Sequence, residues 1–328
     1  MWGYLEFRFE VFMDNKQNIP VLEVNNLSVS FQMYDGIFGQ KTLQVISELN
    51  IKVHAGEILA IAGSSGSGKS LLASAILGIL PENATVSGEL RYNGQTLTPK
   101  LQKQLRGTEI ALVPQSVDFL DPLMPTGAQV DGHKKPYPTQ KRHKIFRRFG
   151  LSEDIEKCYP FQLSGGMARR VLVSTALITD AQLIIADEPT PGMSLEQVLE
   201  TLKMFREMAD NKKAVLLITH DIDLAFTFAD RIAVFYAGTT VETASAQDFQ
   251  EGPEALRHPY TKALWHALPQ NDFEPIAGFQ PYAGNLPKGC LFAPRCSYST
   301  PKCTLESPPL RMLRGGEVRC FCAEIFQK

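Results

Sequence analysis

One eight-residue segment constrains this chain more than any other feature. Residues 63–70 read GSSGSGKS, which fits the pattern G-x-x-x-x-G-K-[ST]. A chance match is expected on the order of 0.01 times in such a chain, because glycine and the other required residues are scarce. An apolar run, residues 57–62, precedes the segment, and a stretch with helical periodicity, residues 71–80, follows it. Strand, glycine-rich loop and helix in this order predict a phosphate-binding loop.

The loop predicts a site for the phosphates of a nucleotide together with magnesium. Backbone N–H groups in such a loop and at the following helix start point at phosphate oxygens, and glycines allow the backbone torsions that this requires. Lys69 is expected to reach the β- and γ-phosphates, and the Ser70 hydroxyl is expected to bind magnesium. The residues predicted to contact the nucleotide at this loop are Gly63, Ser64, Ser65, Gly66, Ser67, Gly68, Lys69, Ser70 and Leu71.

Two acidic residues end a later apolar strand. Residues 183–188 read LIIADE, and a carboxylate pair at the end of a strand suits magnesium binding and water activation. Asp187 is predicted to hold magnesium, directly or through water, and Glu188 to orient or deprotonate the attacking water. On their own, acids after a strand more often begin a solvated loop. Beside a phosphate-binding loop they predict hydrolysis of a nucleotide.

The distribution of apolar runs predicts an α/β fold with a parallel sheet. Residues 182–186 and 214–219 are apolar runs, and helix-length amphipathic sequence precedes each of them. The loose alternation from Val21 to Phe31 predicts a strand at the edge of an antiparallel sheet. Residues 116–160 contain several prolines and a basic run of helical character at residues 140–149. This region predicts an inserted, mostly helical subdomain.

Length and composition predict two domains. The chain has 328 residues, and single hydrophobic cores usually stop growing near ~250 residues. Beyond Gly252 the sequence becomes rich in proline and holds five of the six cysteines. We therefore predict an N-terminal extension at residues 1–20, a nucleotide-binding domain at 21–250 with its helical subdomain at about 116–175, and a small cysteine-containing domain at 251–328.

Charge and hydropathy exclude several classes of function. The net charge of −2 and the pI near 6.3 provide no positive field for holding nucleic acid. No apolar run approaches the ~18 residues that span a bilayer. Charged residues interrupt residues 1–20, which breaks any signal-peptide core. We therefore expect a chain that stays in the cytoplasm and does not cross the membrane itself.

Residues 163–167, LSGGM, resemble the signature of the ABC ATPases. They lie between the phosphate-binding loop and the strand that ends in two acids, which is the order typical of that family. A serine and two glycines at a helix start offer a hydroxyl and N–H groups to a phosphate. The resemblance implies that Ser164, Gly165 and Gly166 contact the γ-phosphate of ATP bound on the opposite subunit.

The resemblance extends to further single residues. Gln115 matches the glutamine that touches magnesium and communicates with the membrane partner, and His220 matches the histidine that contacts the γ-phosphate. Phe31 resembles the aromatic residue that stacks on adenine, with Tyr34 as a neighbouring alternative. Alone, each such residue is more often a surface group or part of the core. The implied magnesium ligands are Ser70, Gln115 and Asp187.

Two positions depart from the family pattern. Met167 stands where many ABC proteins have glutamine, a variation that resembles the peptide and nickel importer branch. Ser194 stands where the family commonly has aspartate, in the loop that reaches towards the partner's ATP site. Communication between the two sites is therefore expected to be weakened or asymmetric.

The C-terminal segment resembles the extension found in the ATPases of oligopeptide, dipeptide and nickel importers. Residues 258–261 read HPYT, and residues 289–296 read GCLFAPRC. Four cysteines recur at positions similar to those of this family: Cys290, Cys296, Cys303 and Cys320.

The function of these cysteines stays open at the level of sequence. Clustered cysteines in a cytoplasmic protein indicate metal ligands more readily than disulfides. Four thiolates could hold zinc or an iron–sulfur cluster, and some members of the similar family carry a four-iron cluster. The alternative is four reduced, buried thiols. Cys322 is a spare or alternate ligand, and Cys158 is expected to be structural.

The resemblance implies an ATP-hydrolysing subunit of an importer for peptides or nickel chelates, working at the cytoplasmic face of the membrane. It implies two permease subunits and a separate substrate-binding protein. Because the signature of one cassette completes the site of another, this chain must pair, and we favour a second, distinct ATPase as its partner. The alternatives are a non-transport ATPase acting on ribosomes or DNA, and a catalytically weak regulatory cassette.

Overall fold

A computed structural model describes residues 19–35, 39–64, 66–132 and 139–324 of the chain. The strands in this part of the chain are β1 (Leu22–Asp35), β2 (Gly39–Val53), β3 (Ile58–Gly63), β4 (Ala84–Tyr92), β5 (Gln95–Thr96), β6 (Ile110–Val113), β7 (Leu183–Asp187), β8 (Ala214–Thr219), β9 (Arg231–Tyr236), β10 (Thr239–Ser245), β11 (Arg311–Leu313) and β12 (Gly316–Val318). The helices are α1 (Lys69–Leu77), α2 (Pro99–Leu105), α3 (Thr126–Asp131), α4 (Thr139–Arg148), α5 (Gly165–Leu177), α6 (Leu195–Asp210), α7 (Ile222–Phe228), α8 (Ala246–Glu251), α9 (Pro259–His266) and α10 (Pro301–Leu305).

The larger sheet has the strand order β11-β12-β10-β9-β3-β8-β7-β6. Strands β9, β3, β8, β7 and β6 run parallel to one another. Every residue of β3, β7 and β8 is buried, because helices such as α5 and α6 cover one face of the sheet, and α1 with strands β1 and β2 covers the other. This explains why these strands have continuous apolar sequences, and it confirms the predicted mixed α/β core.

The smaller sheet is antiparallel and has the order β2-β1-β4-β5. The prediction that residues 21–31 form an edge strand was wrong, because β1 pairs with β2 on one side and with β4 on the other. The alternation that suggested an edge strand has another origin. Leu22, Val24, Leu27 and Val29 point into a core shared with the larger sheet. The alternation therefore indicates that one face of β1 is buried, and it does not indicate the position of β1 in the sheet.

The segment between β6 and β7 is helical, as its sequence predicts. It contains α3, α4 and α5, and the basic run forms α4. Phe146 and Val171 from these helices belong to the same hydrophobic cluster as Ala60 and Ile184 of the sheet. The helices therefore pack onto the main core, and the limits of a separate subdomain stay a prediction.

The C-terminal segment returns to the larger sheet. Strand β12 pairs with β10, where Glu242 lies opposite Val318, and β11 pairs with β12 at the outer edge. The predicted division near residue 250 stays a prediction, since sheet hydrogen bonds cross it. Within the described ranges no helix is long and apolar enough to cross a membrane.

Candidate functional site

Three parallel strands bring the predicted motifs to one edge of the larger sheet. Strand β3 runs into the phosphate-binding loop, β7 ends at Asp187, and β8 ends just before His220. Asp187 pairs in register with Ile218, and Ala62 pairs with Thr219. Because carboxyl ends of neighbouring parallel strands meet at the same edge, these residues surround one site.

The phosphate-binding loop leads directly into α1. Gly68, the residue before α1, has a backbone φ of 97°, and a Cβ there would lie 3.2 Å from the Val45 carbonyl oxygen. The positive φ and the short distance to the Val45 carbonyl oxygen therefore both favour glycine at position 68. No side chain caps the start of α1, which leaves its first N–H groups available to a phosphate. Ser65 lies outside the described residues.

Lys69 is buried in this loop. Its Nζ donates hydrogen bonds to the carbonyl oxygens of Gly63 and Ser64, each at 2.8 Å. Burial lowers the pKa of Lys69, and the nearby carboxylates of Glu188 and Asp187 oppose this shift. The lysine is thus a cation held between the loop and two acids, as recognition of a polyphosphate requires.

Asp187 is the residue best placed for magnesium. Burial raises the pKa of Asp187, while a hydrogen bond from Ser70 and the positive charge of Lys69 oppose the rise. Its Oδ1 atom is buried and accepts no hydrogen bond from the described residues. A buried carboxylate oxygen without a donor, next to a serine hydroxyl, is a donor set that suits a hard cation.

Glu188 is held in an unusual backbone conformation. Its φ is 45°, which is uncommon for a residue with a side chain and typical of functional sites. Its backbone N–H donates to the Ile218 carbonyl oxygen at 2.9 Å. Gln115 Nε2 donates to Glu188 Oε2 at 3.0 Å, and His220 Nδ1 lies 3.2 Å from Glu188 Oε1. Three residues predicted from separate motifs therefore contact one another.

Arg169 positions this group and was missed by the sequence reasoning. It is buried on α5 and donates hydrogen bonds to the carbonyl oxygens of Pro114 and Gln115. Burial lowers the pKa of Arg169, and the carboxylates of Glu188 and Asp187 oppose this. The only signal available in the sequence was the pair of arginines, Arg169 and Arg170, in a helix that is otherwise free of charged residues.

Ser164 forms the N-cap of α5, and its hydroxyl accepts a hydrogen bond from the Met167 N–H at 3.3 Å. Ser164 and Gly165 are exposed, and a Cβ at Gly165 would meet nothing within 4 Å. A Cβ at Gly166 would lie 3.1 Å from the Gly192 carbonyl oxygen. The signature therefore presents a serine and an open helix start at the surface, where a second molecule can reach them.

Replacing Ser164 separates capping from nucleotide contact. Ser245 caps α8 by the same kind of hydrogen bond, so Ser164→Ala and Ser245→Ala should each lower the free energy of unfolding by about 0.5–2 kcal/mol. Only Ser164→Ala should also lower ATP hydrolysis by the paired cassettes, by at least about 10-fold, because a hydrogen bond to a charged phosphate is lost. Urea unfolding and steady-state hydrolysis measure the two effects. Equal hydrolysis by both variants would contradict the predicted contact.

The predicted adenine contact stays a prediction. Phe31 is half-buried and packs against the core that joins the two sheets. Tyr34, the alternative, is 89% exposed.

The C-terminal cysteines share one enclosed cavity. Its lining includes Cys290, Cys296, Cys303, Cys320, Cys322 and His258. All five of these cysteines are free thiols. Cys158 lies apart, where its thiol contacts the Asp154 carbonyl oxygen at 3.7 Å. Among the described residues no group of three or more His, Cys, Asp and Glu side chains is arranged around a single metal ion.

The thiols of this cavity differ in acidity. Burial raises the pKa of Cys290 and Cys296, and it raises the pKa of Cys320 to about 12. Burial acts on Cys303 in the same direction, but hydrogen bonds with Thr300 hold the pKa of Cys303 below its usual value. Cys303 is therefore the thiol of this set that most readily becomes a thiolate.

Comparison with known proteins agrees with these features. Residues 46–191 match the ABC transporter family, and residues 241–303 match the oligopeptide/dipeptide transporter C-terminal region. The chain is 35% identical over 318 residues to the dipeptide transport ATP-binding protein DppD of Escherichia coli, covering 91% of this chain and 95% of that protein. It is 33% identical to the oligopeptide transport ATP-binding protein AppD of Bacillus subtilis, covering 93% and 97%, and 33% identical to OppD of Salmonella typhimurium, covering 92% and 93%.

Solved structures share the fold. The dimeric structure of MJ0796, a bacterial ABC transporter cassette, superposes with a TM-score of 0.60 at 23% identity, covering 69% of this chain and 98% of that one. The structure of cbiO1 from Clostridium perfringens, part of an ABC transporter complex, gives a TM-score of 0.55 at 26% identity, covering 71% and 91%. With a phosphate-binding loop, two strand-end acids, a signature helix and the matching C-terminal region, the chain belongs to the ATP-binding proteins of the oligopeptide/dipeptide ABC transporter family.

Proposed function

We propose that this chain is the ATP-hydrolysing subunit that powers an ABC importer of peptides. The observation that carries the proposal is Glu188, held by Gln115 and His220 beside the buried pair of Lys69 and Asp187. The substrate class rests on relatives that are named dipeptide and oligopeptide transport proteins. Nickel does not occur in those names, so peptides are the substrate that we propose.

Each residue has a defined part in the reaction. Lys69 and the N–H groups of the loop bind the β- and γ-phosphates and balance their charge. Ser70, Asp187 and Gln115 are the residues that would hold magnesium, which supplies further charge neutralisation when bound. Glu188 orients the attacking water and accepts its proton. His220, in contact with Glu188, is placed to report the presence of the γ-phosphate.

Pairing with a second ATPase would complete the site. The chain has one phosphate-binding loop and one signature, and that signature is exposed. We propose a heterodimer with a related ATPase, bound to two permease subunits at the cytoplasmic face of the membrane and served by a substrate-binding protein. ATP-driven closure of the pair would move the permeases.

Two exposed apolar side chains that follow Gln115 in sequence, Phe119 and Leu123, define a candidate surface for the permease contact. Phe119 is 65% exposed and Leu123 is 84% exposed, and both follow Gln115 closely in sequence. Exposed large apolar side chains are a common feature of interaction sites. A permease helix on this surface would sense Gln115, whose carbonyl oxygen is held by Arg169 and whose amide holds Glu188.

Magnesium-dependent ATP hydrolysis tests the proposal. We expect the chain alone to be nearly inactive and a mixture with its partner ATPase to be active, because each site needs a signature from the other subunit. Full activity of the chain alone would indicate that it works as a homodimer and not as the proposed heterodimer. An inactive mixture that still binds ATP would favour the weak regulatory cassette.

Ser194 offers a separate test of communication between the two sites. Its hydroxyl caps α6 and forms a reciprocal pair with Gln197. Aspartate caps helices equally well, so Ser194→Asp should leave the fold unchanged and restore the charge that the family carries. We expect the cooperativity of ATP hydrolysis to rise, and unchanged cooperativity would contradict the idea that Ser194 weakens communication.

We also propose that the cysteine cavity is the site of a four-iron cluster. A single ion needs ligands that converge on one point, and the described side chains provide no such group. Each thiolate of a four-iron cluster binds its own iron, and the proposal is supported by four cysteines that line one cavity. Cys290, Cys296, Cys303 and Cys320 are the proposed ligands.

Metal analysis of protein purified without oxygen tests this assignment. We expect about four iron and four sulfide ions per chain, and loss of both in Cys303→Ser. Cys158→Ser is the matched control, because that thiol lies outside the cavity, and it should retain the iron. Zinc in place of iron, or neither metal, would overturn the assignment.

A further inference from the structure

Two residues of the C-terminal segment contact the phosphate-binding loop. Ser64 Oγ donates a hydrogen bond to Gln280 Oε1 at 2.6 Å, across 216 positions of sequence. The buried Tyr260 hydroxyl interacts with the same Ser64 side chain. The Ser64 carbonyl oxygen accepts from Lys69 Nζ at 2.8 Å. Ser64 is therefore held by the loop's own lysine through its main chain and by the C-terminal segment through its side chain.

The part of the chain that carries Gln280 is itself anchored. Arg295 donates to the carbonyl oxygens of residues 276–277, at 3.0 and 2.8 Å, and to the Tyr236 hydroxyl at 3.2 Å. Gly278 then turns the chain with a φ of 76°. Gln280 thus lies only a few residues from a fixed point, which limits the positions that its side chain can reach.

The other end of the same segment lies close to a side chain of the smaller sheet. A Cβ at Gly284 would lie 3.3 Å from Lys41 Nζ, and Lys41 belongs to β2. Residues 276–284 therefore extend from the core of the C-terminal region, past the phosphate-binding loop, to the antiparallel sheet. They contact the phosphate-binding loop through Gln280 and come close to Lys41 of the antiparallel sheet.

We propose that residues 276–284 are a latch on the phosphate-binding loop and that Gln280 is the positioning residue of this latch. The proposal rests on the proposed binding of ATP. A loop that already has its N–H groups oriented loses less conformational entropy when phosphate binds. Gln280 contacts Ser64, whereas the water-activating group is Glu188 with Gln115 and His220. The latch should therefore affect nucleotide affinity and leave the chemical step unchanged.

Equilibrium binding of ATP with Mg²⁺ to the full chain tests the latch. Gln280→Ala should weaken binding by roughly 2- to 10-fold, the range expected for one hydrogen bond, with kcat of the paired cassettes unchanged. Phe279→Ala is the matched control, because the neighbouring Phe279 side chain is 94% exposed, and it should bind as the unmodified chain does.

A double-mutant cycle separates positioning from general loosening of the structure. Ser64→Ala should weaken binding at least as much as Gln280→Ala, because it also removes the interaction with Tyr260, and the double variant should bind no more weakly than Ser64→Ala. Additive losses, or equal binding by Gln280→Ala and the unmodified chain, would overturn the latch while the proposed function stands. Failure of the unmodified chain to bind ATP would overturn both.

Discussion

Replacing Glu188 by glutamine should lower kcat for ATP hydrolysis by about 10²- to 10⁴-fold, the usual contribution of a general base. Glutamine retains the size of the side chain, and its amide can still pair with Gln115 and His220. It lacks the anionic oxygen that accepts the proton of the attacking water. Binding of ATP should persist, because Lys69 and the loop are unchanged. Burial lowers the pKa of Lys69, and the remaining carboxylate of Asp187 still opposes this shift.

The measurement compares kcat of the paired cassettes with the dissociation constant for ATP and Mg²⁺. Glu82→Gln, an exposed glutamate beyond α1, is the control for removal of a negative charge and should change neither quantity. Unchanged hydrolysis in Glu188→Gln would show that the partner's composite site or another residue performs the chemistry. Loss of binding together with hydrolysis would indicate that Glu188 mainly holds the site together.

The site could be predicted from sequence to the extent that strand ends determine it. Gln115, Glu188 and His220 each follow a strand of one parallel sheet, and such ends meet at the same edge. Their order along the chain therefore predicts that they lie near the phosphate-binding loop. The continuous apolar runs predicted the parallel sheet, because the strands of such a sheet are buried on both faces.

Contacts made by packing between distant segments left no such signal. Arg169 holds the carbonyl oxygen of Gln115 across 54 positions, and Gln280 reaches Ser64 across 216. Both separations are far longer than any single helix or strand in the described part of the chain, so only the folded chain brings these residues together. Strands β11 and β12 have three residues each, which is too short for a periodic pattern.

The largest effect on stability is expected from Arg257→Met, which should lower the free energy of unfolding by about 3–5 kcal/mol, as breaking a buried ion pair does. The Arg257 and Glu242 side chains are 1% and 0% exposed, and Nη1 of Arg257 lies 3.2 Å from Glu242 Oε1. The same guanidinium donates to the carbonyl oxygens of Leu313 and Arg314. Methionine fills much of the space but leaves a buried carboxylate without its cation.

The pH dependence distinguishes loss of charge pairing from loss of packing. Burial raises the pKa of Glu242, and Arg257 opposes the rise, so the variant should have a still higher folded-state pKa. A raised folded-state pKa means that the folded protein binds a proton more tightly than the unfolded chain does. The resulting stabilisation is complete below the unfolded pKa and is lost as the pH rises through the folded value. The deficit of Arg257→Met should therefore be smallest in mild acid and grow towards neutral pH.

Urea unfolding at several pH values measures this deficit. Arg147→Met is the matched control, because Arg147 pairs with Glu153 at 3.5 Å while 66% exposed, and exposed pairs contribute no more than about 1 kcal/mol. A deficit independent of pH would assign the effect to packing and to the two carbonyl oxygens. A deficit below about 1 kcal/mol would contradict the view that this buried pair holds the turn after β11 against β10, because breaking a buried pair costs more than that.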